Sequence, residues 1–255
     1  IIVTTKKGAK GRTKFSYSVL LGTKQPTSMP QSLDAYTYRV LKNEMERNIG
    51  KPALFTDEEL AKWQAGTEPG YQDYDWINNT LYKWTSQQQH NLSATGGNDN
   101  ITFYTSFGYL ADNGLVRSNI QKYRKYNFRT NLTANLAKGL KGTFTFAGKY
   151  DENRSPQISY FWLFKPIICS DRGIGPYTVP NPLHLASNSE NINPLAFATE
   201  SISGYEKWNN FQYQSTVELS YEVPFVKGFK LGVLGAYDGN INNYSNLAKA
   251  YNIYD

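Results

Sequence analysis

Apolar and polar residues alternate along this chain in seven stretches, joined by connectors that are by turns very short and very long. From Thr13 to Gly22 the residues Phe15, Tyr17, Val19 and Leu21 share one face, against Lys14, Ser16, Ser18 and Leu20 on the other. A repeat of two puts successive side chains on opposite sides of a strand, so each stretch predicts a strand with one apolar face. The second, Gln87–Gly96, is the weakest, setting His90, Leu92 and Ala94 against Asn91 and Ser93. Ile101–Leu110, Tyr123–Ala137 and Leu140–Tyr150 follow, with Phe107 and Tyr109, Tyr126 and Phe128, and Phe144 and Phe146 in phase. Phe211–Val223 is the sixth, and Leu231, Val233, Gly235 and Tyr237 mark the seventh.

Gly96-Gly97-Asn98-Asp99-Asn100, Lys138-Gly139 and Pro224 to Gly228 turn these strands back as hairpins. The other connectors, 23–86, 111–122 and 151–210, are several times longer. A membrane barrel sorts its connectors this way, with short turns at one end and long loops at the other, whereas a soluble sandwich has no reason to. The fold class is therefore read as all-β: a transmembrane antiparallel β-barrel with about seven strands present. A soluble all-β protein is the alternative, because alternation is common to both.

The first long connector carries helical signals. Ser32 precedes a pattern of Leu33, Thr37, Val40, Leu41 and Met45 that Gly50 and Pro52 stop. Thr56 and Glu59 have capping-box spacing before Leu60 and Trp63, and Gly66 closes that second helix. Short helices thus sit in a long extracellular loop.

Composition agrees. Mean hydropathy is −0.57, and no run approaches the roughly 20 apolar residues of a membrane helix. A barrel needs only every second residue apolar, and 20 Tyr and 13 Phe suit a wall that meets lipid, headgroups and water in turn. The net charge of +6 is densest at Lys6, Lys7, Lys10, Arg12 and Lys14, a run read as a solvated linker, with no nucleic-acid partner expected. Neither Ile1 nor Asp255 reads as a natural terminus, so a fragment is expected.

The order of features resembles the SusC/RagA-like family of TonB-dependent outer-membrane transporters. Ile1-Ile2-Val3-Thr4-Thr5-Lys6-Lys7-Gly8 looks like the family's last plug strand and its exit. Gln89-His90-Asn91-Leu92-Ser93 with Gly96-Gly97-Asn98 resembles its second strand and turn, and Phe107-Gly108-Tyr109-Leu110 with Tyr126-Asn127-Phe128-Arg129-Thr130-Asn131 the next two. Asp75-Trp76 and Asn193-Pro194-Leu195-Ala196 are similar to recurring elements, while Phe161 to Arg172, with Pro166 and Cys169, departs from the expected proline-rich form.

The resemblance implies residues 1–8 as the end of a plug domain and 9–255 as the N-terminal part of a 22-stranded barrel in the cell outer membrane. It further implies TonB-dependent active import of a large nutrient, a glycan oligomer or a peptide. The partners would be the TonB complex, a SusD-like surface lipoprotein and outer-membrane lipid. A passive porin or adhesin barrel and a secreted all-β carbohydrate-binding domain are the alternatives.

Enzymatic chemistry finds no footing. His90 and His184 are far apart without partners at metal or triad spacing, and Cys169 lacks a nearby histidine. No catalytic residue, metal or cofactor is expected. All five tryptophans (Trp63, Trp76, Trp84, Trp162 and Trp208) fall in the long connectors, where their flat faces suit stacking on sugar rings or packing on peptide ligands; Trp84 could equally anchor the barrel at the outer headgroups, and Trp63 and Trp76 are read as packing within loops or against the lipoprotein lid. Substrate contacts are expected at Asn153, Arg154, Tyr160 and Trp162, at the start of the third long loop.

Overall fold

The computed structural model describes residues 6–118, 120–179, 181–188 and 192–254. Seven strands form one antiparallel sheet in chain order: β1 (Gly11–Lys24), β2 (Thr85–Gly97), β3 (Ile101–Asn113), β4 (Lys122–Ala137), β5 (Leu140–Pro156), β6 (Gly204–Glu222) and β7 (Lys230–Ala248). The sheet is an open section of wall with β1 and β7 at its edges. Tight turns join β2 to β3 and β4 to β5. In the latter, Gly139 adopts φ 78°, a left-handed conformation that a residue with a Cβ takes at a cost.

Every strand outruns its predicted bounds at the end that bears the long connectors. Those connectors shorten to 25–84, 114–121 and 157–203. The excess residues, Asp151 to Pro156 and Gly204 to Asn210 among them, are largely polar, and a ladder of backbone hydrogen bonds continues through them regardless.

The register assigns the two faces. One row runs Tyr17, Leu92, Phe107, Phe128, Gly148, Tyr213 and Gly239 across all seven strands, and the adjacent row of opposite face runs Ser18, Asn91, Gly108, Asn127, Lys149, Gln212 and Asn240. On β6 the apolar face extends from Tyr221 to Phe211. Ten residues at 3.3 Å each span roughly 33 Å, which a barrel tilt of about 40° reduces to about 25 Å, the height of a membrane barrel's apolar band. Aromatic rings close this band at its upper edge. Tyr109 lies 6.0 Å from His90 and 5.1 Å from Tyr126, and Tyr126 lies 6.1 Å from Tyr150. Above them the same face turns charged, with Arg124, Glu152 and Lys207.

The three long connectors fold together into a cap. The first contains α1 (Ala35–Asn48), α2 (Asp57–Ala65) and α3 (Trp76–Thr80). The α1 N-cap is Asp34 rather than Ser32, because its carboxylate accepts the Thr37 N–H at 2.8 Å. The α2 capping box forms as its sequence predicts, and Gly66 ends that helix at φ 63°. The third connector adds α4 (Tyr160–Cys169), α5 (Pro194–Ala198) and α6 (Glu200–Ser203), helices its sequence did not announce. Ile77 and Leu81 from the first connector, Val116 and Ile120 from the second, and Leu163, Ile167 and Ala198 from the third form one buried core. Each of the larger side chains contributes roughly 1.5–3 kcal/mol by burial.

Candidate functional site: the inner wall and its capped rim

A barrel wall acts on its cargo through the face turned away from lipid. Here that face is polar throughout its middle, with Ser16, Ser93, Ser106, Arg129 and Gln214 in the row beside the Asn127 row. A trough of about 1110 Å³ runs along it. The segment leading into β1 crosses this face: the Asn131 amide donates to the Lys6 carbonyl, and Gly8 lies so close to the Phe103 backbone that a Cβ would collide with it. The sequence-predicted plug strand 1–8 falls mainly outside the described residues, and only its end, Lys6 to Gly8, is placed.

Above the trough, a few polar contacts hold the connectors of the cap to one another. Arg39 is buried in α1, with its guanidinium 3.5 Å from the Trp63 ring centroid. It makes a bidentate pair with Asp171 at 3.1 and 3.2 Å. Next to it, Arg172 pairs with Asp73 and lies 3.5 Å from Asp75. Trp76 is 1% exposed, and its indole N–H is shared between the Ile174 carbonyl at 3.1 Å and the Asp171 carbonyl at 3.3 Å. Asn193, wholly buried, caps α5 through Oδ1 while its amide donates to the Pro176 and Ala186 carbonyls. Asp75 caps α3 by accepting the Asn78 N–H at 2.9 Å; burial opposes its ionisation, but these hydrogen bonds and Arg172 hold its carboxyl below the usual range. The motif Asp75-Trp76 thus helps to tie the first connector to the third, and Asn193-Pro194 organises the third from within.

Of the four sequence-predicted contact residues, three line one rim cavity of about 420 Å³: Asn153, Arg154 and Tyr160, beside Tyr123 and Phe164. Asn153 is exposed on the inner face. Arg154 belongs to the outer register, pairs with Glu200 and stacks 4.2 Å from the Tyr205 ring centroid, so its charge is engaged structurally. Trp162 stands apart, half exposed on α4 against Phe161.

Trp208 departs from its predicted place in a connector. It sits within β6, opposite Asn153 on one side and Tyr244 on the other, facing inward. Its ring centroid is 4.3 Å from that of Tyr244, and both rings are about half exposed. The alternation of Tyr205, Lys207, Asn209 and Phe211 with Glu206, Trp208 and Asn210 was the available signal, masked because both faces are polar there.

No family model matches the sequence. Two TonB-dependent receptors of Formosa agariphila are similar to it. P26 is 23% identical over 163 residues, covering 63% of this chain and 15% of the receptor. P3 is 24% identical over 257 aligned positions, covering 90% of this chain and 23% of the receptor. The chain therefore spans less than a quarter of the length of the curated relatives it matches. Among solved structures, the RagAB peptide transporter superposes with a TM-score of 0.64 at 17% identity, covering 93% of this chain and 29% of that one. The RagAB peptide importer in its closed-closed state gives 0.64 at 18%, covering 98% and 30%. The two-faced sheet, its aromatic edge and these likenesses lead to one conclusion: the chain has the fold of a section of β-barrel wall, similar in structure to the RagAB transporter and in sequence to TonB-dependent receptors.

Proposed function

We propose that the protein to which this segment belongs imports a large nutrient, a glycan oligomer or a peptide, across the outer membrane by a TonB-dependent mechanism. A SusD-like surface lipoprotein would deliver the cargo, and residues 1–8 would be the exit from a plug that fills the barrel. Cargo would pass along the inner wall when the plug is pulled aside, with no covalent chemistry. The observation that carries this reading is the wall itself, with a lipid-height apolar band on one face, a mainly polar surface on the other, and a folded cap over its rim. The naming of RagAB as a peptide transporter, and of two sequence relatives as TonB-dependent receptors, supports the same assignment.

The test is nutrient-dependent growth and uptake in the native host, comparing deletion of this gene with deletion of TonB. Loss of uptake in both strains, with the chain and a surface lipoprotein copurifying from the outer membrane, is the expected result. Uptake that persists without TonB would favour a passive pore. A chain recovered in the soluble fraction would favour a secreted carbohydrate-binding domain.

A further inference from the structure

We propose that Trp208 and Tyr244 form a stacking subsite for one ring of a neutral saccharide on the inner wall, near its rim. The proposal rests on the import reading and deepens it by naming the class of cargo. The two rings lie side by side on adjacent strands with centroids 4.3 Å apart, and each is about half exposed. Large aromatic rings left open on an otherwise polar surface bring a desolvation gain that only a ligand with an apolar face can collect. The Tyr244 hydroxyl donates to Glu206 Oε1 at 3.0 Å, which fixes the tilt of its ring.

The surroundings choose the ligand. Asn153 lies opposite Trp208 on β5, and Asn242 and Asn246 stand two residues below and above Tyr244 on the same face of β7. All three carboxamides are exposed. A carboxamide offers both donors and acceptors, as hydroxyls require, and a sugar ring presents C–H faces between its hydroxyls. At the inward positions of β5, β6 and β7 in this row and the rows directly above and below it, no lysine or arginine occurs. Of the two carboxylates there, Glu206 is engaged by Tyr244, and Asp151 by Tyr123 at 2.6 Å and Lys149 at 2.6 Å. The patch therefore suits an uncharged ligand rather than an anionic one. Trp208 lies eight residues from Thr216, whose row contains the Asn131 that holds Lys6. That is about 26 Å along the strand, well clear of the segment crossing the trough.

The experiment uses the full-length transporter purified with whatever lipoprotein accompanies it. Binding is titrated with a panel of neutral oligosaccharides, namely glucan, mannan and xylan fragments, and with a pool of peptides. Trp208→Ala and Trp208→Phe are compared with the unaltered protein, and heat-modifiable gel mobility serves as the check on folding. At least one oligosaccharide should bind, with affinity falling about tenfold or more in Trp208→Ala and largely recovered in Trp208→Phe, which keeps a flat ring. Oligosaccharide binding indifferent to Trp208→Ala overturns the subsite while leaving import intact. Trp208-dependent binding of peptides alone overturns the saccharide assignment, and so does a panel in which nothing binds. Failure of TonB-dependent uptake in the native host strikes the import reading itself and is scored separately.

Discussion

The sheet and the cap are built from the same chain on opposite rules. Among the described residues the sheet has almost no interior: Phe15, Tyr17, Val233 and Tyr237 are more than half exposed, and its stability is owed to hydrogen-bonded ladders and to lipid it expects to meet. The cap resembles a small water-soluble domain, with Trp76, Val116, Ile120, Leu163 and Ile167 almost fully enclosed and its buried Arg39 paired with Asp171. Exposed apolar residues are therefore a solvent specification in one region and would be a defect in the other. Which medium a stretch faces decides how its sequence must be read.

The largest effect should come from hollowing the cap. Trp76→Ala removes its largest enclosed side chain and should cost about 3–5 kcal/mol locally. Limited proteolysis of the full-length protein should then open the 25–84 connector while barrel gel mobility stays unchanged; joint loss of both would show that the two regions are one cooperative unit. A second comparison is confined to the wall. Val217→Arg, near mid-height of the apolar face, should destabilise by about 2–4 kcal/mol, whereas Thr216→Arg, one residue away on the inner face, should cost far less. Unfolding in lipid vesicles measures both, and equal costs would refute the assignment of faces.

Smaller again is Arg39→Lys. It keeps the charge but loses the paired fork on Asp171 and the flat contact with Trp63, for about 1–2 kcal/mol. Faster proteolysis of the cap should report it. The smallest effect is acid. Asp34 is held below its usual 3.8 by the Thr37 N–H and hydroxyl, and Glu59 below its usual 4.5 by the Thr56 N–H and hydroxyl. Folding lowers both values, so the caps help fully above them and lose that help as pH falls through the lower folded values. The protection factors of amides in the first turns of α1 and α2, taken relative to the intrinsic exchange rate at each pH, should fall as pH drops below about 5, ahead of any change in the strands.

The wall was legible because lipid imposes a pattern of two on every strand that crosses it. Above the aromatic edge lipid no longer imposes anything, which is why Asp151 to Pro156 and Gly204 to Asn210 read as connector and why Trp208 was placed there rather than in a strand. The place of Asn153 at the base of the third long loop was legible, but its neighbour across the ladder was not, because 55 positions of sequence separate them and only the register joins them. The cap was legible only where helix ends are local, as at Thr56 and Gly66. Arg39 and Asp171 stand 132 residues apart, and no periodicity announces such a pair. Pro166 within α4 hid a helix that is held by burial of Leu163 and Ile167 rather than by local preference.

From Tyr205 to Tyr221, β6 pairs residue for residue with both neighbours, without a bulge. Such a strand has a reading frame. Deleting one residue near Thr216 would send Val217, Leu219 and Tyr221 to the water side and their polar neighbours into lipid, or else carry Trp208 off the inner wall, depending on which end stayed anchored. Two compensating changes would be needed where a connector tolerates any length. Descendants of this gene should therefore drift freely in loop length and almost never in strand length, so that the wall keeps time while the loops above it are free to wander.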